Sequence, residues 1–129
     1  MNKLNKESVI GISALLVHAA KIDEIYSDHE KNLIKNFIKS YLNNEDIDKI
    51  LKKAEKVEKN SNQLLSFTNI IKQNSLDIKK DIMEHLWRVI ISDNAIDQYE
   101  SNLMRRICGL IYFSDKECAE IKLRLINSK

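Results

Sequence analysis

The chain has 129 residues, of which 43% are hydrophobic and 31% charged, so its composition is that of a folded globular domain and excludes an ordinary disordered chain. Its 21 basic and 19 acidic residues leave a net charge of +2, which disfavours non-specific binding to nucleic acid unless the basic groups are segregated in space. The sequence has no proline and two glycines, and so lacks most of the turn signals that sheets need. We therefore predict an all-α protein, with a single helical domain over residues 1–129.

The N-terminal segment contains the apolar run of a first helix, with lysines before it. Lys3 and Lys6 precede the run Val9–Ala20, a pattern that a secretory signal peptide also shows. Glu7 in the basic region and His18 within the run favour a helix of the domain instead. No stretch approaches the roughly 20 apolar residues of a membrane span. We expect a cytoplasmic protein without a transmembrane segment, and peripheral membrane association stays open as an alternative.

The later helix starts are marked by short polar side chains that accept a bond from a backbone N–H group. Three segments have the spacing of a capping box, in which a Glu three residues after the cap reaches back to it: Ser27–Glu30, Asp97–Glu100 and Ser114–Glu117. Asn44, Ser61 and Ser75 are weaker predicted starts. With the first helix these signals predict about seven helices. The helices near 7–22 and 76–92 are apolar around most of their circumference, so we expect them at the centre.

Helical spacing of apolar residues predicts the core, which we expect to include Leu16, Leu86, Trp87, Ile90 and Ile107. In the helix predicted over 44–59 the apolar stripe runs to Val57. The charged side chains of that helix, including Glu55, Glu58 and several lysines, predict a solvated outer face. A phosphate-binding or membrane-surface patch is the alternative for that face.

Two pairs of side chains have an expected structural role. Cys108 and Cys118 lie among apolar neighbours in predicted helices, which favours reduced thiols in the core over a disulfide across the turn. Asp81 and His85 share a helix face at i,i+4 spacing, which predicts a side-chain hydrogen bond between them.

An internal similarity relates residues 16–34, LVHAAKIDEIYSDHEKNLI, to residues 86–104, LWRVIISDNAIDQYESNLM. In each copy a buried helix ends at an Asp, an apolar or aromatic residue and a cap follow, and a Glu stands seven residues after the Asp. The spacing predicts two similar helix–turn–helix repeats, at about 8–42 and about 76–112, in a pseudo-symmetric bundle.

Acidic side chains concentrate in the two turns of this repeat, and they are Asp23, Glu30, Asp93, Asp97 and Glu100. The N-terminus of a helix carries partial positive charge and free N–H groups, so a structural interpretation is that these residues only cap the helices. The functional interpretation is that carboxylates of both turns combine into a site for a hard divalent cation, Ca²⁺, Mg²⁺ or Mn²⁺. That site requires the two turns to converge in space.

Known motifs do not account for these acids. An EF-hand loop that starts at Asp93 would place Gln98 where the turn needs Gly and Met104 where a bidentate Glu belongs. No H-E-x-x-H motif is present, and the three histidines are scattered; His29 is expected to be a solvated side chain, with an auxiliary ligand role as the alternative. No nucleophile setting or Gly-rich phosphate loop is recognisable. We therefore expect that the protein is not an enzyme.

The second copy, in the segment LWRVIISDNAIDQYESNLMRRICGLIYFSDKE, resembles the TerB-like family, which includes the tellurite-resistance B proteins and the related N-terminal module of the co-chaperone DjlA. The matching positions are Leu86, Trp87, Asp93, Ile96, Asp97, Glu100, Leu103, Arg105, Arg106 and the box Ser114–Glu117. The segment ALLVHAAKIDEIYSDHE is a more divergent first copy. This resemblance implies an all-helical domain of two repeats, acidic turn residues proposed to bind metal ions, a link to tellurite and other stress responses, and no firm enzyme activity.

The function predicted from the residues and the resemblance together is a stress-associated, non-catalytic binding or scaffold module, with unidentified protein partners and no nucleic-acid ligand. A co-chaperone-type interaction module is the alternative, in which Trp87, Tyr99 and Tyr112 form an exposed apolar surface; for each of these aromatic side chains we expect core packing instead. A third alternative is a hydrolase of the phosphoesterase type that uses the same carboxylates on a divalent metal to activate water.

Overall fold

The computed structural model describes residues 4–22, 26–42, 46–61, 64–92 and 98–127, and within these ranges it contains helices and no strand. The helices are α1 Lys6–Ala20, α2 Asp28–Tyr41, α3 Ile47–Asn60, α4 Leu65–Lys72, α5 Leu76–Ile91, α6 Gln98–Leu110 and α7 Asp115–Asn127. The predictions of an all-α fold and of about seven helices are confirmed.

Short polar side chains begin most of these helices, as the sequence predicts. The side chains of Asn5, Ser27 and Ser75 accept the backbone N–H three residues on, at the starts of α1, α2 and α5. Ser114 does the same for α7, since its Oγ lies 3.4 Å from the backbone nitrogen of Glu117. The predicted cap Asp97 lies outside the described residues, directly before α6.

Of the weaker predicted starts, one is wrong and another lies outside the described residues. Helix α3 begins at Ile47 with Asp46 as its cap, and Asn44 lies outside the described residues. Ser61 is wrong as a helix start because it ends α3, and α4 follows Leu64 without a side-chain cap. A Ser can stand at either end of a helix, and which end it occupies depends on the packing of its neighbours.

The core forms around α1 and α5, as their nearly continuous apolar surface predicts. Helix α1 packs against α2, α3, α4 and α5, and α5 also packs against α2, α4 and α7. The predicted core residues are confirmed as buried, and they are Leu16, Leu86, Trp87, Ile90 and Ile107. Gly11 permits the close approach of α4 to α1, because a Cβ added to it would lie 2.5 Å from Ile70 Cδ1.

The buried face of α3 differs from the predicted one. Val57 is 39% exposed, whereas the Glu58 side chain is 11% exposed and Glu55 is half-buried. The face toward α1 therefore runs through Leu51, Ala54, Glu55 and Glu58, at i,i+3 and i,i+4 spacing. The prediction that both glutamates belong to a solvated face is wrong, because cationic and phenolic partners on the facing helix and turn draw them inward.

Tyr112 departs from its expected place in the core. It is 73% exposed and has a φ of 59°, the left-handed conformation that closes helix α6. The backbone N–H groups of Tyr112 and Phe113 donate to the carbonyls of Gly109 and Cys108, as in a Schellman motif. This conformation directs the ring into solvent, where Lys72 Nζ lies 4.6 Å from its centroid. Trp87 is buried as predicted, and the side chain of Tyr99 lies outside the described residues.

None of the described helices combines the length and the apolar character that a bilayer crossing requires.

Candidate functional site

The first acidic turn leads into α2 through a complete capping box. The Glu30 backbone N–H donates to Ser27 Oγ at 3.1 Å, and the Ser27 backbone N–H donates to Glu30 Oε1 at 2.9 Å. Ser27 Oγ also donates to the same carboxylate oxygen, at 3.1 Å. These bonds draw the Glu30 side chain under the helix end, where the residue is 4% exposed. The predicted helix start is confirmed, and it places a carboxylate inside the protein.

Further acids from α3 face this turn. Tyr26 donates its phenolic hydrogen to Glu55 Oε2 at 2.7 Å. Burial, that hydrogen bond, and the negative charges of Glu55, Glu30 and Glu58 together raise the pKa of Tyr26 far above its ordinary value, so the phenol stays protonated. Tyr26 thus ties the first acidic turn to Glu55 of α3, a residue that the sequence placed on a solvated surface.

Cations balance part of this negative charge. Glu58 pairs with Lys21 Nζ at 2.8 Å and with His18 Nδ1 at 3.3 Å. Burial opposes ionisation of Glu58, but the hydrogen bonds from Lys21 and His18 outweigh it and hold the pKa of the carboxyl below its usual value. Glu58 is therefore a carboxylate neutralised by protein groups at neutral pH.

The second acidic turn leads into α6, where Glu100 is the third helical residue, as Glu30 is in α2. Glu100 is 3% exposed. The aligned apolar positions behave alike as well, since Ile34 of the first copy and Met104 of the second are both fully buried. Helices α2 and α6 thus present a buried carboxylate one turn before a buried apolar side chain. The repeat predicts this correspondence, and the duplication that would explain it stays a prediction.

The five predicted metal ligands divide into two groups. Glu30 and Glu100 are described and buried, whereas Asp23, Asp93 and Asp97 lie outside the described residues. Among the residues that the structure describes, no group of three or more His, Cys, Asp or Glu side chains is arranged to hold a metal ion. His29 is exposed, as expected of a solvated side chain. Convergence of the two turns stays a prediction.

Two other polar clusters lie outside the predicted site. Asp81 Oδ2 accepts a hydrogen bond from Tyr41 at 2.6 Å, and Asp81 Oδ1 lies 3.6 Å from His85 Nε2, longer than the hydrogen bond that the spacing predicts. At the other cluster, Trp87 Nε1 donates to Cys118 Sγ at 3.3 Å. Sequence reasoning missed the Tyr41–Asp81 and Trp87–Cys118 hydrogen bonds, because each joins residues of two different helices.

Seven described helices, of which α1 and α5 are central and apolar, with matching buried glutamates at the starts of α2 and α6, define a class of small all-helical domains. The family model for tellurite resistance protein TerB matches residues 10–123, so the chain belongs to the TerB family. This confirms the family resemblance. No curated protein and no solved structure shows significant similarity to the chain.

Proposed function

We propose that this TerB-family protein is a non-catalytic, stress-associated binding or scaffold module of the cytoplasm that holds a divalent cation through the acids of its two turns. The observation that carries the proposal is the burial of Glu30 and Glu100, each at the third position of a helix that follows an acidic turn. A Glu is rarely so deeply buried unless positive charge or hydrogen-bond donors compensate the loss of its hydration.

Capping alone explains part of this burial. The Ser27 N–H and hydroxyl both donate to Oε1 of Glu30, which is the geometry of a capping box. The third predicted box provides a comparison: Glu117 is also the third residue of its helix, yet its side chain is 35% exposed and pairs with Lys80 at 3.4 Å. The third position of a helix therefore does not by itself require burial, and the deeper placement of Glu30 and Glu100 favours a role for them that Glu117 does not share.

A hard cation suits these residues because Ca²⁺, Mg²⁺ and Mn²⁺ prefer carboxylate oxygens. Asp23, Asp93 and Asp97 would supply the remaining protein ligands once the two turns meet. Ligand oxygens of Ca²⁺ lie roughly 2.3–2.6 Å from the ion, so the proposal requires carboxylates of both turns to come within about 5 Å of each other or to share a bridging water.

Thermal unfolding with and without millimolar Ca²⁺, Mg²⁺ or Mn²⁺ tests the proposal. An ion that binds only the folded chain stabilises it by about 2.7 kcal/mol at a hundred times its dissociation constant, so the melting temperature should rise by several degrees. Glu100→Gln, or Asp93→Asn together with Glu100→Gln, should abolish the rise.

Glu117→Gln is the matched control, because it removes the same charge from the same helical position outside the proposed site. It should leave the ion-dependent rise intact. Equal melting temperatures of the unmodified chain in all three ions would reject cation binding, whereas a rise that all variants share would place the ion elsewhere.

A partner-binding role is a second candidate, and the exposure of Tyr112 favours it. An interaction module of the co-chaperone type would need exposed aromatic side chains. Trp87 is buried, whereas Tyr112 presents its ring to solvent beside Lys72. Exposed tyrosines are common in protein interfaces because they offer apolar area with a polar tip. Loss of a co-purifying partner on Tyr112→Ser, with unchanged melting behaviour, would support this role, and retention of every partner would reject it.

A further inference from the structure

A cleft opens at the surface between helices α1, α3, α4 and α6. Its volume is about 560 Å³, and each of the four helices contributes side chains to its lining. Helix α4 packs against α1 and α6, and α1 packs against α3, so the cleft lies where these contacts leave space. Pockets that bind small molecules have volumes of roughly 300–1,000 Å³. The cleft is therefore large enough for a small organic molecule.

One wall of the cleft is apolar, and it is formed by Leu65 and Phe67 of α4 and by Leu110 of α6. Phe67 is buried, whereas Leu65, the first residue of its helix, is 49% exposed. Covering apolar surface of this kind with hydrocarbon removes it from water and is favourable in proportion to the area covered. This wall is suited to the apolar part of a ligand.

Arg106 of α6 brings positive charge to the cleft. The residue is exposed, and it forms no ion pair or hydrogen bond within the part of the chain that the structure describes. A guanidinium group presents its N–H donors in a planar fork that matches the two oxygens of a carboxylate. Arg106 is thus available to an anionic ligand.

Glu58 also lines the cleft, but protein groups already balance its negative charge. Its carboxylate oxygens accept hydrogen bonds from Lys21 Nζ at 2.8 Å and from His18 Nδ1 at 3.3 Å. The charges of Glu58, Lys21 and Arg106 together are positive, so an anion that enters the cleft meets net attraction. The His18 side chain lines the cleft as well, and its bond to Glu58 ties the wall from α1 to the wall from α3.

We propose that this cleft binds a small organic acid, whose carboxylate pairs with Arg106 and whose hydrocarbon chain lies against Leu65, Phe67 and Leu110. An exposed guanidinium alone gains little from an ion pair in water, and the apolar wall alone leaves Arg106 unused. Affinity therefore requires the charge and the hydrocarbon in one molecule. Binding in the cleft needs no divalent cation, so it is independent of the proposed function.

Octanoate is the probe for this site. It is titrated into the isotope-labelled full chain in EDTA, which removes divalent cations, and the backbone amide signals are followed by NMR. We expect saturable shifts of signals from the cleft, including those of Leu65, Phe67 and Leu110. Acetate carries the charge without the chain, and octanol carries the chain without the charge, so each should bind at least about tenfold more weakly than octanoate.

Arg106→Gln tests the ionic contact. It should raise the dissociation constant of octanoate by about tenfold or more, because a charge-assisted hydrogen bond is lost. Arg105→Gln is the matched control, since it makes the same change at the adjacent exposed residue, which lines a different pocket beside Trp87 and Cys118. It should leave the dissociation constant within about twofold of that of the unmodified chain.

Leu65→Asn tests the apolar contact. It should also weaken octanoate binding, because it replaces exposed hydrocarbon of the wall with an amide. Leu76→Asn is its matched control: Leu76 is the first residue of α5, as Leu65 is of α4, and it is 50% exposed outside the cleft. This control should keep the affinity of the unmodified chain. Melting temperatures verify that each variant is folded, and Leu65→Asn decides the test if Arg106→Gln does not fold.

Four results would overturn the proposal. They are the absence of saturable shifts with octanoate, shifts that map away from the cleft, equal affinity for octanoate and octanol, and unchanged affinity for octanoate in folded Arg106→Gln or Leu65→Asn.

Discussion

His85 is a largely buried base packed against Phe37 of α2. Its ring lies edge-on to Phe37, with 5.1 Å between centroids, and Asp81 lies 3.6 Å from Nε2. Burial lowers the pKa of His85 below its ordinary value of 6.5; Asp81 and Glu84 act against this shift, and Arg88 adds to it. The neutral imidazole is therefore the form that the folded state prefers.

This preference predicts a loss of stability in acid. The pKa of His85 is below 6.5 in the folded chain and near 6.5 in the unfolded chain. As the pH falls through 6.5 the unfolded chain therefore binds more protons than the folded chain, and the free energy of unfolding decreases. Urea unfolding at pH 7.5 and 5.5 should show this decrease, and His85→Gln should reduce it. The matched variant His29→Gln, at an exposed position, should keep the full decrease. Identical pH dependence in His85→Gln and the unmodified chain would contradict this role.

Single residues also show where local sequence patterns reach their limit. Tyr112 is an aromatic side chain that sequence alone assigns to the core, but its left-handed φ of 59° places it outside the core. Glu58 is largely shielded from solvent because Lys21 and His18, from the other side of the α1–α3 interface, hydrogen-bond to its carboxylate. Helical periodicity describes one helix at a time, so it contains no information about partners supplied by another helix.

At the scale of helices, the sequence predicts starts better than ends. Capping boxes and Ser75 locate α2, α5 and α7, because the N–H groups of a first turn need an acceptor within three residues. Helix α4 begins without a side-chain cap, and its position depends on Phe67 and Ile71, which it buries in the core. A short helix held by packing leaves little local signal.

Helix α6 offers a stability prediction at Gly109. The residue lies near the end of the helix, its φ is not positive, and a Cβ added to it would meet no atom within 4 Å. Gly109→Ala should therefore raise the free energy of unfolding by up to about 0.5–1 kcal/mol, because alanine loses less backbone entropy on folding. Gly11→Ala should gain less, since Ile70 must move to admit the methyl group. Urea unfolding of both variants measures which of them gains more stability. A Gly109→Ala variant less stable than the unmodified chain would contradict the prediction.

The whole molecule is stabilised by the contact of α1 and α5 with the surrounding helices. Leu86, at the centre of α5, is fully buried, so Leu86→Ala should lower the free energy of unfolding by about 2–5 kcal/mol. Leu123→Ala makes the same chemical change at a side chain that is 57% exposed, and should cost less than about 0.5 kcal/mol. Chemical denaturation measures both values. A cost below about 1 kcal/mol for Leu86→Ala would contradict the central place of α5.

The fold and the candidate site differ in how far the sequence predicts them. The absence of proline, the scarcity of glycine, the capping boxes and the apolar helices together predict the all-α fold. The internal repeat predicts that Glu30 and Glu100 occupy corresponding positions. The Trp87–Cys118 hydrogen bond was not predictable from the sequence, because it requires the packing of α5 against α7 that brings the indole to the sulfur. Burial follows from composition, but contact between particular side chains follows from tertiary packing.

The most direct test of the proposed function is isothermal titration calorimetry of the full chain with Ca²⁺, Mg²⁺ and Mn²⁺. The proposal predicts a saturable heat for at least one of these ions. The heat should disappear in the double variant Glu30→Gln with Glu100→Gln and persist in Glu117→Gln. Absence of a saturable heat with every ion, from a chain that is folded by circular dichroism, would contradict the proposal that its acidic turns hold a cation.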